Sequence, residues 1–80
     1  MDDKTILERI RELGDEELRL EEHDADHLLT KDRLDRLKSI ETELDQCWDL
    51  LRQRRARRSA GQDPNQATVR PGEVVEHYLQ

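Results

Sequence analysis

An all-α chain is what this sequence predicts: an antiparallel two-helix hairpin with a short docking C-terminal tail, paired with a second copy into a homodimeric four-helix bundle. Three observations predict it. Ala, Glu, Lys, Leu and Arg make up half of the 80 residues, the composition of long helices and coiled coils. Leu37, Ile40, Leu44, Cys47 and Leu51 recur at alternating spacings of three and four, the seam by which one helix packs on another. No Gly or Pro falls between Thr30 and Ala60, so nothing in that stretch breaks a helix. Residues 1–60 are read as the hairpin and 61–80 as a linker with a docking segment.

The first helix is expected over about 5–22. Thr5 and Glu8 fit a capping box, in which the threonine hydroxyl and the glutamate side chain each satisfy a free amide of the first turn. Ile6, Ile10, Leu13 and Leu20 then fall at helical spacing, with Leu7 beside the stripe. Glu17 interrupts that stripe, and Gly14 costs ~1 kcal/mol relative to Ala. The stretch HDADHLLT, about 23–30, has no clear period and is read as the turn. Thr30 is the expected cap of the second helix, with Leu29 and Leu34 placed as a hydrophobic staple. That helix, about 31–58, spans ~42 Å at ~1.5 Å per residue. Leu34 and Trp48 widen its apolar face on one side. Gly61 and Pro64 stop it in the usual order.

GQDPNQATV reads as a polar linker. Pro71 suits a first helical position, and Val74, Val75, Tyr78 and Leu79 follow at i, i+1, i+4 and i+5. Those one or two amphipathic turns are too short to be helical alone, so they must dock. Trp48 is an edge-packing residue or an interface anchor. With Val74, Val75, Tyr78 and Leu79 it forms the expected interaction surface, through the tail or through a second copy. Leu, Ile and Val total eighteen and Phe is absent, a thin core for a chain this charged. A twin chain supplies further burial, so a homodimer is expected, with an unknown protein partner as the other occupant.

Charge is unevenly placed. The formal net charge is −6, which disfavours general polyanion binding. Residues 1–22 carry nine acids against four bases, whereas 50–58 carry five arginines and no acid. Arg52, Arg54, Arg55, Arg57 and Arg58 are therefore the candidates for holding nucleic acid or ribosomal RNA. The alternative is electrostatic. An antiparallel hairpin brings them beside Asp2, Asp3, Glu8 and Glu12, and a helix C-terminus favours cations by ~0.3–1 kcal/mol each. Continuing the seam past Leu51 puts Arg54 and Arg58 at the next core positions. The five arginines also spread around the helix, with no aromatic among them to stack on bases. A solvated, partly self-neutralised helix end is the preferred reading.

No other constellation carries chemistry. His23 and His27 are four apart, as a helical metal pair requires, but they fall in the turn and Asp24 stands where a general-base Glu belongs; no metal and no cofactor is expected. Cys47 lies on the seam, which suits a small buried hydrophobe better than a reactive thiol. No glycine-rich phosphate loop is present. The expected function is a non-enzymatic interaction module, a self-associating scaffold or adaptor. The first residues lack a signal peptide's basic and apolar regions, and no apolar run exceeds two residues, so a cytoplasmic protein without membrane contact is expected.

ELDQCWDLLRQRRA, followed by DP and then VRPGEVVEHYLQ, resembles a family of short actinobacterial proteins known as domain of unknown function 2630. The resemblance is specific over about Glu41 to Gln80 and loose before it. It implies a small, helical, cytoplasmic protein. It implies no activity, ligand or functional residue.

Overall fold

The computed structural model describes residues 2–24 and 31–79, with the side chains of 23, 24 and 77–79 outside the described set. Among the described residues there are three α-helices and one short 3-10 turn: α1 is Asp3–Asp24, α2 is Lys31–Ser59, a 3-10 turn is Pro64–Gln66, and α3 is Gly72–Leu79. Helix α2 is the central rod, and α1, the 3-10 turn and α3 all pack against it. The molecule is elongated, 50 × 24 × 16 Å.

Helix α1 starts two residues before the capping box. Asp2 is the cap: its Oδ1 accepts from the Thr5 amide at 2.8 Å, and its carbonyl accepts from Ile6 at 3.1 Å. Both Asp and Thr cap helices, but capping at Thr5 would leave Asp3 outside the helix. Inside it, Asp3 reaches the arginine end of α2. At its other end α1 runs on to Asp24, past the expected turn boundary. Thr30, Leu29 and His27 lie outside the described residues.

Helices α1 and α2 are antiparallel, as three cross-pairings fix. Asp3 meets Arg54 and Arg58, Arg9 meets Glu43, and Glu16 meets Arg36. The apolar core beneath them is small. Among the described residues, Ile6, Leu13, Ile40, Leu50 and Val75 are its buried members. Leu50, not the expected Leu51, is the buried seam residue, with Leu51 only half-buried. The reason is that α2 has two neighbours. At about 100° per residue, Leu50 points between the α1 side and the tail side of the rod, so it is covered from both.

Helix α2 ends in a Schellman cap. Gly61 takes φ 73°, Gln62 N donates to the Arg57 carbonyl at 2.7 Å, and Gly61 N donates to Arg58 at 3.1 Å. The left-handed turn is why glycine stands there. Beyond it the chain doubles back along α2, and its polar linker is held in place. Asp63 caps the 3-10 turn through the Asn65 amide, 2.9 Å. Gln53 donates to the Thr68 carbonyl at 2.8 Å, and Gln46 to the Arg70 carbonyl at 3.0 Å. Pro71 precedes the helix and does not begin it: its carbonyl accepts from Val74 and Val75. Thr42 Oγ1 then donates to Glu76 at 2.7 Å, and a Cβ on Gly72 would overlap the Thr42 methyl. Val75 is sealed between α3 and α2.

Candidate interaction surface

The two edges of the hairpin differ in chemistry. One is closed by ion pairs. Arg9 holds Glu43 through two hydrogen bonds, 2.5 and 3.0 Å, and Arg36 holds Glu16 through two, 2.5 and 2.7 Å. Paired forks of this kind give geometric register as well as energy. Hydrogen bonding to Arg36 holds the Glu16 carboxyl below its usual range, and that to Glu43 raises Arg9.

The other edge is apolar and uncovered. Leu7, Leu18, Leu34 and Trp48 are 50%, 55%, 49% and 47% exposed. They share one face. Leu7 and Trp48 line the same groove with Leu51 and Arg55. Leu18 lies eleven residues beyond Leu7, three helical turns and about 20° round α1. Leu34 lies fourteen residues before Trp48, about 40° round α2. The Glu16–Arg36 pair places Leu18 and Leu34 at the same end. A strip with a large apolar pair at each end, Leu7 with Trp48 and Leu18 with Leu34, therefore runs along the hairpin opposite the ion-paired edge, and exposed Arg11 and Glu41 lie on it between the pairs.

The tail does not cover that strip. It seats over Thr42, Gln46, Asp49 and Gln53, a line about 130° round α2 from Trp48. The structure therefore separates residues that the sequence reading grouped. Trp48 and Val75 lie on different sides of α2. Val75 is spent inside the fold, Val74 is exposed on the tail, and the side chains of Tyr78 and Leu79 lie outside the described residues. Leu34 already widens the Trp48 face in the sequence and Leu7 stands beside the stripe of the first helix; Leu18 is the member that the sequence reading lacks. Its signal is the interval of eleven from Leu7, three turns of one helix, on a line apart from the core stripe.

The arginine run divides. Arg54 is buried, 6% exposed. Its Nε donates to Asp3 at 2.5 Å and its Nη1 donates to the Pro64 carbonyl at 3.2 Å and to Asn65 Oδ1 at 3.0 Å. Arg58 donates to the other oxygen of Asp3 at 2.8 Å. Hydrogen bonds from Arg58 and Arg54 hold the Asp3 carboxyl below its ordinary range. Arg52 and Arg55 flank Trp48 in the groove with Asp3 and Arg58. Arg57 is half-buried.

Cys47 sits on the floor of a second cleft, about 280 Å³, with Arg9, Glu43, Leu50 and Val69 around it. Burial, and next the Glu43 carboxylate, push its thiol above the usual value. A thiol so placed is a poorer nucleophile at neutral pH. His27 and the His23 side chain lie outside the described residues. No helix among the described residues is long and apolar enough to cross a membrane.

Residues 2–80 match the family described as protein of unknown function DUF2630. The chain belongs to this family. Uncharacterized proteins of Mycobacterium bovis and of two Mycobacterium tuberculosis strains are each 67% identical to it over 42 residues. Each match covers 52% of the chain and 48% of the relative, so the chain spans about half the length of the curated relatives it matches. No solved structure matches the chain. Family membership thus extends across both helices and the tail, and brings actinobacterial relatives without an assigned activity.

Proposed function

We propose that the chain is a non-enzymatic helical interaction module that self-associates, and acts as a scaffold or adaptor in that form. The observation that carries this reading is the uncovered apolar strip of Leu7, Leu18, Leu34 and Trp48. Single exposed leucines are ordinary on a protein surface; a strip aligned along two helices marks a contact surface. Burying the remaining half of four such side chains contributes ~3–6 kcal/mol. The hairpin face, about 33 Å long and roughly 20 Å across, offers ~650 Å², near the ~800 Å² per partner of a standard interface. Association itself costs ~4–15 kcal/mol, so a weak dimer, seen at micromolar concentration and above, is expected.

Trp48 reports on this directly. Dilution of the wild type from 500 to 1 μM should shift its emission to longer wavelength as the indole enters water. Leu18→Glu should show the water-exposed spectrum at every concentration. An emission maximum independent of concentration in the wild type contradicts the proposal. Nucleic-acid binding by Arg52 to Arg58 is the alternative. Asp3 already engages Arg54 and Arg58, which lowers the charge that the run offers to phosphates. Phosphate contacts of this kind weaken steeply with salt, so binding to nucleic acid at low salt that is lost by 0.2 M would favour the alternative.

A further inference from the structure

We infer that the partner on the apolar strip is a second copy of this chain lying antiparallel to the first, its arginine end against the closed, acidic end of its twin. This rests on the self-association reading above and adds the geometry to it. The hairpin is electrically polar along its length. Its open end, residues 2–8 and 52–58, holds six cations against three acids. Its closed end, 15–24 and 31–38, holds five cations against eight acids. The apolar strip runs between the two. Twins stacked strip to strip can point the same way or opposite ways. Parallel stacking sets the two cationic ends together and the two acidic ends together. Antiparallel stacking sets each cationic end beside an acidic one.

The residues that flank the strip carry the same pattern. Arg55 borders Trp48 at the open end. Glu21, three residues beyond Leu18, lies on the strip side of α1 at the closed end, exposed. Individual exposed pairs are worth little. Orientation, however, is decided by a difference: one arrangement sets ends of like net charge together and the other sets ends of opposite net charge together. Electrostatics of this kind chooses register and partner more than it sets affinity. The strip itself permits reversal, because it has a large apolar pair at each end, Leu7 with Trp48 and Leu18 with Leu34. A two-fold axis across its middle superposes one pair on the other's place, giving a self-complementary contact that closes.

The test is pulsed electron paramagnetic resonance on full-length chains in a Cys47→Ser background, spin-labelled at a single introduced cysteine. The sites are Ser59→Cys at the open end and Glu21→Cys at the closed end, both exposed. The two-fold crosses α2 midway between Leu34 and Trp48, eighteen residues from Ser59, so in an antiparallel pair two Ser59 labels lie about 54 Å apart, the length of 36 helical residues. A mixture of the two labelled chains adds a distance below about 25 Å. A short distance between Ser59 labels within a dimer overturns the orientation and leaves self-association standing. Absence of any distance between chains overturns the self-association reading itself. As a second arm, Arg52→Glu with Arg55→Glu, which line the groove beside Trp48, and separately Glu21→Lys with Glu22→Lys, exposed beyond Leu18, should each weaken the dimer at least tenfold, and mixing the two should restore it. Two variants that still pair as well as the wild type would remove the charge basis.

Discussion

At Arg54 the helical period and the chemistry of the side chain pull in different directions. The seam demands a core residue there, and the sequence supplies a cation. The fold accepts it because Asp3, the Pro64 carbonyl and Asn65 together meet three of its bonds. A buried guanidinium is tolerated only when its donors are satisfied. Arg54→Ala should therefore cost about 1–3 kcal/mol in urea unfolding and loosen the linker, whereas Arg55→Ala should change stability by under about 0.5 kcal/mol. Acid should act at the same place. Hydrogen bonds from Arg58 and Arg54 lower the folded-state pKa of Asp3, the Thr5 side chain and then its amide lower that of Asp2, and Arg36 lowers that of Glu16. A carboxylate with a depressed folded pKa contributes stability above its unfolded value, here 3.8 for the aspartates, and loses it as pH falls through the folded value. Stability should thus be flat from neutral pH to about 5 and fall below about 4. Asp3→Asn should be less stable at neutral pH and show a shallower fall. An equal slope in both proteins would show that Asp3 does not carry this dependence.

The elements differ in how they are secured. Helix α1 is held to α2 by Ile6 and Leu13 inside and by forked ion pairs at the edge. The tail is held by side chains of α2 reaching for linker carbonyls, and by one close approach of backbone to side chain. Gly72 has no room for a methyl group beside Thr42. Gly72→Ala should undock α3 and cost about 1–3 kcal/mol, as overpacking does. Adding Thr42→Ser removes the obstructing methyl, keeps the hydroxyl that donates to Glu76, and should recover most of the loss. Failure of that rescue, measured by thermal unfolding, would mean that the contact does not limit docking. Much of this was legible beforehand. Periodicity marked both long helices, Gly61 marked the stop, and the amphipathic turns of the tail demanded a docking site. What was not legible was long-range. Arg9–Glu43 and Glu16–Arg36 are ordinary surface charges until the register of two helices is known. Gln46 and Gln53 give no sign that they will strap a linker. The Thr5 box misled because Asp2, an equally good cap, stood three residues earlier.

The whole molecule is a thin rod with one edge tied by ions and one edge left apolar. Its core has few large members because α2 divides its faces between α1 and the tail, leaving the Trp48 side to neither. A charge on that side should prevent association without unfolding the chain, since Leu18 and Leu34 contribute little to the interior. Leu18→Glu should keep the helical circular dichroism of the wild type, lose less than about 1 kcal/mol of stability as a monomer, and lose the dimer. A variant that unfolds would place Leu18 in the core instead. The most direct test of the central claim is the molar mass by light scattering as a function of concentration. The wild type should move from the chain mass of 9.5 kDa towards twice that value between about 1 and 500 μM, while Leu18→Glu stays at the chain mass throughout. A wild type that remains at the chain mass at the highest concentration would contradict the account.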